Sequence, residues 1–255
     1  MNQTLNNQLL FNNRHEFVYS SSSNIRNRFI KNILDNNPFK KEDNNNIAVL
    51  VEDLGFEKND ECKDLNNVAL SIFSKDYLNL SIAYEVIDQI EKQIGFEEIE
   101  SKSCRFLDEI REYSLGINND HEIDLKDLKK LVLETKEKYF MEYKRYIETK
   151  ELRNFIEELP LKYLDVEDIL ESLREIINID YRLSILISPK KEYIIQTYQA
   201  VNSLINSNYQ NNYYVKVICD KNKWESYYDL NGTFIKNIDD YDTLSLGKIK
   251  KLDLI

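Results

Sequence analysis

Residues 19–30 read YSSSSNIRNRFI. A short apolar run, a group of small hydroxyl residues and the start of an amphipathic pattern together have the layout of a loop that cradles phosphate at a helix N-terminus. A loop of the form GxxxxGK followed by Ser or Thr uses glycine so that backbone amides can approach the phosphates. It uses lysine to reach the β- and γ-phosphates, and a hydroxyl to hold magnesium. Aligned on the helix pattern, Ser20 and Ile25 stand at the two glycines, Arg26 at the lysine and Asn27 at the hydroxyl. A bulky Ile25 blocks close backbone approach, Arg26 keeps the charge but not the compact ammonium, and Asn27 is a poor magnesium ligand. Enzymes built this way also need a second apolar strand ending in Asp-Glu, one residue for magnesium and one for water. Here the run SILIS ends in Ser188 and Pro189. Ser20, Ser23, Arg26, Asn27 and Ser188 are thus the candidate nucleotide-binding positions, with the working groups of two separate loops replaced. The plainer reading is a serine turn whose Ser23 or Asn24 caps a helix.

Other chemistries are poorly served. His15 and His121 are the only histidines, and neither belongs to an HExxH or CxxC-type grouping. Cys62, Cys104 and Cys219 are far apart and odd in number, which argues against a disulfide framework. Cys219, after an apolar run, reads as a buried inert thiol before it reads as a nucleophile. Asp53 and Asp220 follow candidate strands, where ligands of α/β sheets bind. Trp224 with Tyr227 and Tyr228 could stack a base or grip a partner, although aromatics at that spacing are usually core. The clusters FEEIE and NDECKD read as solvated helix faces, and no metal site is expected.

These positions need a scaffold. The chain has 255 residues, 42% hydrophobic and 31% charged, enough for a real core. Only 5 Gly and 3 Pro point to a mostly helical body. Three parts follow from periodicity. FVYS, a helix over 24–34 with Ile25, Phe29, Ile30, Ile33 and Leu34 on one side, and IAVLVED make the first, to about residue 55. The middle reads as helix almost throughout, over 61–74, 76–94, 98–115, 123–158 and 165–178, with Pro160 as a break. RLSILIS, the helical KKEYIIQTYQAVNSLINS, YYVKVICD and a final strand near YDTLSLG return to alternating elements. Near-continuous apolar strands suit a parallel sheet buried on both faces. The expectation is an α/β core over 1–55 and 181–255, its mostly parallel sheet interrupted by a large all-helical subdomain over 56–180.

Residues 183–246 resemble bacterial AAA ATPases related to the origin-recognition complex. In that family an acidic strand end precedes a Gln-rich helix ending near NSLI, then a strand, a Trp or Phe motif, a TLNE-like turn and a DY segment. Asn202, Ser203, Leu204, Ile205, Trp224, Leu230, Asn231, Asp240 and Tyr241 fit that pattern, and the frame at 17–34 agrees. The helical middle carries no match. The resemblance implies a P-loop NTPase-like fold and nucleotide-dependent assembly, in some members within phage defence or mobile elements. The replaced catalytic groups depart from it.

The functional expectation is a non-catalytic relative acting as a partner-binding or regulatory subunit, not an enzyme. No cofactor is expected, beyond weak binding of ATP with magnesium. The expected partner is a protein: an active ATPase, a nuclease, or a second copy of the chain. Tyr139, Tyr143 and Tyr146, at i, i+4 and i+7, with Trp224, are the candidate interface residues. A net charge of -11 disfavours nucleic-acid binding by the isolated chain. With no signal-peptide pattern and no apolar run of membrane length, a soluble cytoplasmic protein without membrane contact is expected. Two alternatives remain: a nucleotide-binding hydrolase with an atypical site using Arg26 with Asp53 or Asp220, and an acidic inhibitor that mimics nucleic acid.

Overall fold

The computed structural model describes residues 14–35, 46–58, 65–94, 125–151, 166–177, 182–207, 213–236 and 241–246. The expected helix over 98–115, Pro160, Cys62, Cys104, His121 and Asp240 lie outside the described residues. The chain divides into two compact units, Met1–Asp53 with Tyr181–Ile255, and Leu54–Asp180.

The first unit is built on five strands: β1 (Glu16–Tyr19), β2 (Asn46–Val51), β3 (Arg182–Ile187), β4 (Tyr213–Cys219) and β5 (Asp242–Ser245). Every pairing is parallel, in the order β2-β3-β4-β1-β5. This is an α/β, P-loop NTPase-like sheet, and the helical unit is inserted between β2 and β3. Period-two alternation sorts the residues. Val18, Ala48, Leu186 and Ile218 face helix α1 (Ser23–Asp35), whose Phe29, Ile30 and Ile33 pack on them. The opposite face carries Phe17 and Tyr19, and the segment after β4 covers it, with the Trp224 ring against Phe17 at 5.3 Å and against Tyr198 of α5 (Ile195–Asn206) at 4.9 Å. Burial on both faces explains the nearly unbroken apolar runs of β2, β3 and β4.

The second unit holds α2 (Asn67–Ile94), α3 (Leu125–Thr149) and α4 (Val166–Ile177). Within the described residues the helices expected at 61–74 and 76–94 are one: no residue near Lys75 breaks the pattern, and α2 is capped by Asn66, whose Oδ1 accepts the Val68 amide at 2.9 Å. Helix α3 is shorter than expected and stops before Lys150, which takes a left-handed φ of 58°. Contacts of Asn66 with Tyr146, Asp76 with Tyr139 and Asp88 with Lys129 run α2 and α3 antiparallel. Gly55 has φ 110°, a conformation that calls for glycine, and an added Cβ would lie a tight 3.1 Å from the Tyr77 ring.

The candidate interface face of α3 is core. Tyr139, Tyr143 and Tyr146 are buried within this unit. Tyr143 lies on Phe56 with ring centroids 3.8 Å apart, the Tyr139 hydroxyl donates to Asp76 at 2.8 Å, and the Tyr146 hydroxyl accepts the Asn66 amide at 2.9 Å. The reason is continuity. Leu128, Val132 and Thr135 lie on the same stripe and are also buried, so the tyrosines extend a core seam and do not form a free surface.

Candidate functional site

In a parallel sheet the ligand crevice lies beyond the carboxyl ends of the strands. Here β4 separates β1 from β3, and these strands end in Ser20, Cys219–Asp220 and Ser188. Strand β1 and helix α1 are joined by Ser20, Ser21 and Ser22 alone. The Ser20 amide continues the ladder by donating to the Cys219 carbonyl at 3.1 Å, and the Ser20 Oγ accepts the Ser22 amide at 3.2 Å. Ser22 caps the helix: its carbonyl accepts the Arg26 amide at 3.1 Å and its Oγ faces the Ile25 amide at 3.5 Å.

This corrects two sequence expectations. The cap is Ser22, not Ser23 or Asn24. The frame aligned on the helix pattern also falls short of a phosphate loop, because Ser23 and Asn24, which it sets between the two glycine positions, already belong to α1. A phosphate loop needs its inter-glycine residues outside the helix, so that several amides converge on one anion. Three linking residues are too few. The helix starts early because Ser22 offers a cap and Ile25 joins Phe29 in the apolar stripe packed on the sheet.

Arg26 turns back, and its Nη1 donates to the Ser20 carbonyl. The guanidinium is therefore engaged with the loop's own backbone. Its field also reaches Cys219, but burial dominates and pushes that thiol up to about 12. Cys219 is a neutral buried thiol, which fits the inert reading. Ser23 and Asn27 are exposed on α1. Ser188 is buried and spends its amide on the Val51 carbonyl at 3.1 Å, extending the β2–β3 pairing. Beyond Pro189, Lys190 pairs with Glu52 at 2.5 Å in a largely exposed contact. Asp220 Oδ1 accepts the Asn222 amide at 3.2 Å and so caps a short turn over Lys221–Lys223, while Asp53 is exposed. The structure thus brings Ser20 and Arg26 together. Among the described residues, no group of three or more His, Cys, Asp or Glu is placed to hold a metal ion.

Trp224, the fourth interface candidate, is buried between Phe17 and Tyr198 and is core. It joins a cluster with Tyr241 and with Tyr227, whose hydroxyl lies 2.8 Å from that of Tyr19. Burial, first, and mutual hydrogen bonding hold the Tyr19 phenol well above its usual range. Of the residues that carried the family resemblance, Asn202 and Ser203 are stapling groups. Asn202 Nδ2 donates to the carbonyls of Ser226 and Tyr228 at 2.9 and 2.8 Å, and Ser203 Oγ accepts the Leu230 amide at 3.0 Å. They hold a tight hairpin in which Asp229 accepts the amides of Asn231 and Thr233 at 2.9 and 2.7 Å and Gly232 takes φ 79°. The hairpin exposes Tyr228 and Phe234, 51% and 50% accessible, with their rings edge to face. Sequence reasoning took Tyr228 with Trp224 and passed over Phe234; the Asn231–Gly232 dipeptide between aromatics was the available hairpin signal.

No family model matches the chain, and no curated protein or solved structure is significantly similar to it. The class that fold and crevice define is a P-loop NTPase-like α/β protein with a helical insert. Among the described residues no helix is long and apolar enough to cross a membrane.

Proposed function

We propose that this chain is a non-catalytic, degenerate AAA-like protein that acts as a partner-binding or regulatory subunit. The observation that carries the reading is the three-residue link Ser20–Ser22, with Arg26 bonded back to the Ser20 carbonyl where a phosphate loop would open. Ser188 and Pro189 at the acidic-strand position agree with it. A fold that keeps this strand order without the catalytic groups is retained for its surface, and the partner is an intact ATPase, a nuclease or a second copy. With the α3 tyrosines and Trp224 buried, the contact we assign is the hairpin pair Tyr228 and Phe234, large and held rigidly by Asn202.

The test has two arms. A true binder at about a hundred times its Kd gains about 2.7 kcal/mol of stability. Millimolar MgATP should leave the melting temperature unchanged, and the isolated chain should release no phosphate. Phosphate release abolished by Arg26→Ala would overturn the reading. In the second arm, the tagged chain is recovered from its native cells after cross-linking. An ATPase, a nuclease or a second copy is expected, with a several-fold loss in a Tyr228→Ser, Phe234→Ser double variant that melts like the parent. Equal recovery by that variant would remove the hairpin from the contact.

A further inference from the structure

We propose that His15 is an acid-sensitive clasp at the amino ends of β1, β4 and β5. The ladder between β1 and β4 starts at Glu16 opposite Lys216. One residue earlier, the Val215 amide donates to the His15 ring at Nδ1, 3.0 Å away. A side-chain nitrogen thus takes the place of a strand carbonyl. The His15 carbonyl accepts the Asp242 amide at 2.9 Å. His15 therefore holds β4 through its ring and β5 through its backbone, and it is buried.

A ring nitrogen that accepts a hydrogen bond carries no proton, so His15 is neutral in this arrangement. Protonation at Nδ1 sets one N–H against another and removes the Val215 acceptor. Glu16 on β1 is held by Lys216 on β4 at 2.7 Å, and Asp242 on β5 faces Arg14 at 3.4 Å. Tyr213 and Tyr214 contribute rings with centroids 6.2 and 6.1 Å from the imidazole. Histidine ordinarily titrates near about 6.5. An imidazole freed from this contact titrates in that range, so acidification favours release of the first β4–β1 and β1–β5 couplings while the carboxyl ends of the strands stay paired. The device is a local opening of one sheet end, tied to a single residue.

The experiment is amide hydrogen exchange of the full chain at single-residue resolution, corrected for intrinsic rates, at about pH 7.5 and about pH 5.5. Protection of Val215 should fall about tenfold at the lower pH while Ile218, near the other end of β4, keeps its protection. His15→Gln, with a neutral acceptor, should abolish the step. Equal Val215 protection at both pH values, or a step that survives in His15→Gln, overturns the proposal. Should that variant fail to fold, nitrogen-15 shifts of the wild-type imidazole decide. An Nδ1 that accepts without a proton at the higher pH is expected, and an Nδ1 that already carries a proton there refutes the switch.

Discussion

Two buried carboxylates, one in each unit, are accommodated in different ways. In the α/β unit, Glu16 meets Lys216 at 2.7 Å across a β1–β4 register pair, with both side chains almost fully enclosed. Burial pushes the Lys216 ammonium down and Glu16 opposes that shift. In the helical unit, Asp76 is equally buried and is met by a neutral phenol, Tyr139, at 2.8 Å. Burial, only partly offset by Tyr139 and Lys75, pushes its carboxyl up to about 7. The difference teaches that burial sets the cost of a carboxylate, and its partner decides whether the group stays charged. A charged partner retains the charge and pins a strand register, since a one-residue slip of one strand would put the two side chains on opposite faces. A phenol leaves the acid poised to take up a proton.

The largest effect should come from splitting the pair. Glu16→Gln or Lys216→Met should each cost about 3–5 kcal/mol, because the remaining buried charge loses the ion-pair partner that offsets its desolvation. Trp224, the only tryptophan and in the same unit, reports the loss by fluorescence during urea unfolding. Glu16→Leu combined with Lys216→Met should recover most of that loss. Single variants costing under about 1 kcal/mol would mean that the pair is wetter than its burial implies.

Next in size is Asp76→Asn. The folded carboxyl titrates higher than the unfolded one, so the native state binds more protons between about pH 4 and about pH 7. Stability of the helical unit therefore falls as pH rises through that window and is level above it. Each tenfold is worth about 1.4 kcal/mol, so Asp76→Asn should gain roughly 2–4 kcal/mol at about pH 8 and little at about pH 4. Far-ultraviolet circular dichroism across urea gradients would read this, and a gain that ignored pH would end the contrast between the two units.

Smaller still is Tyr139→Phe, at about 1–2 kcal/mol, through loss of the hydroxyl that donates to Asp76. It should also move the Asp76 titration higher, visible in carboxyl carbon shifts. A titration that moved lower would show that the phenol does not support the ionised form.

Much of the scaffold could be read from residue order. The runs FVYS, IAVLVED, RLSILIS and YYVKVICD became strands within a residue or two, because near-continuous apolar runs of that length fit a sheet buried on both faces. The stripe Ile25, Phe29, Ile30, Ile33 and Leu34 became the packed side of α1, because a period near 3.6 depends only on local geometry. That Ser20, Arg26 and Ser188 follow strand ends was also legible, since it needs only the strand boundaries. Tertiary structure decided where α1 begins, because a cap forms only when Ser20 is pinned to Cys219 and Ile25 has a sheet to cover. It also decided that Tyr139, Tyr143, Tyr146 and Trp224 are core. A helix pattern identifies an apolar face but not what covers it, and Phe56, Phe73, Phe17 and Tyr198 reach those rings from distant positions. The Glu16–Lys216 and His15–Val215 contacts join residues 200 apart in sequence, so only the strand order that sets β1 beside β4 could bring them together.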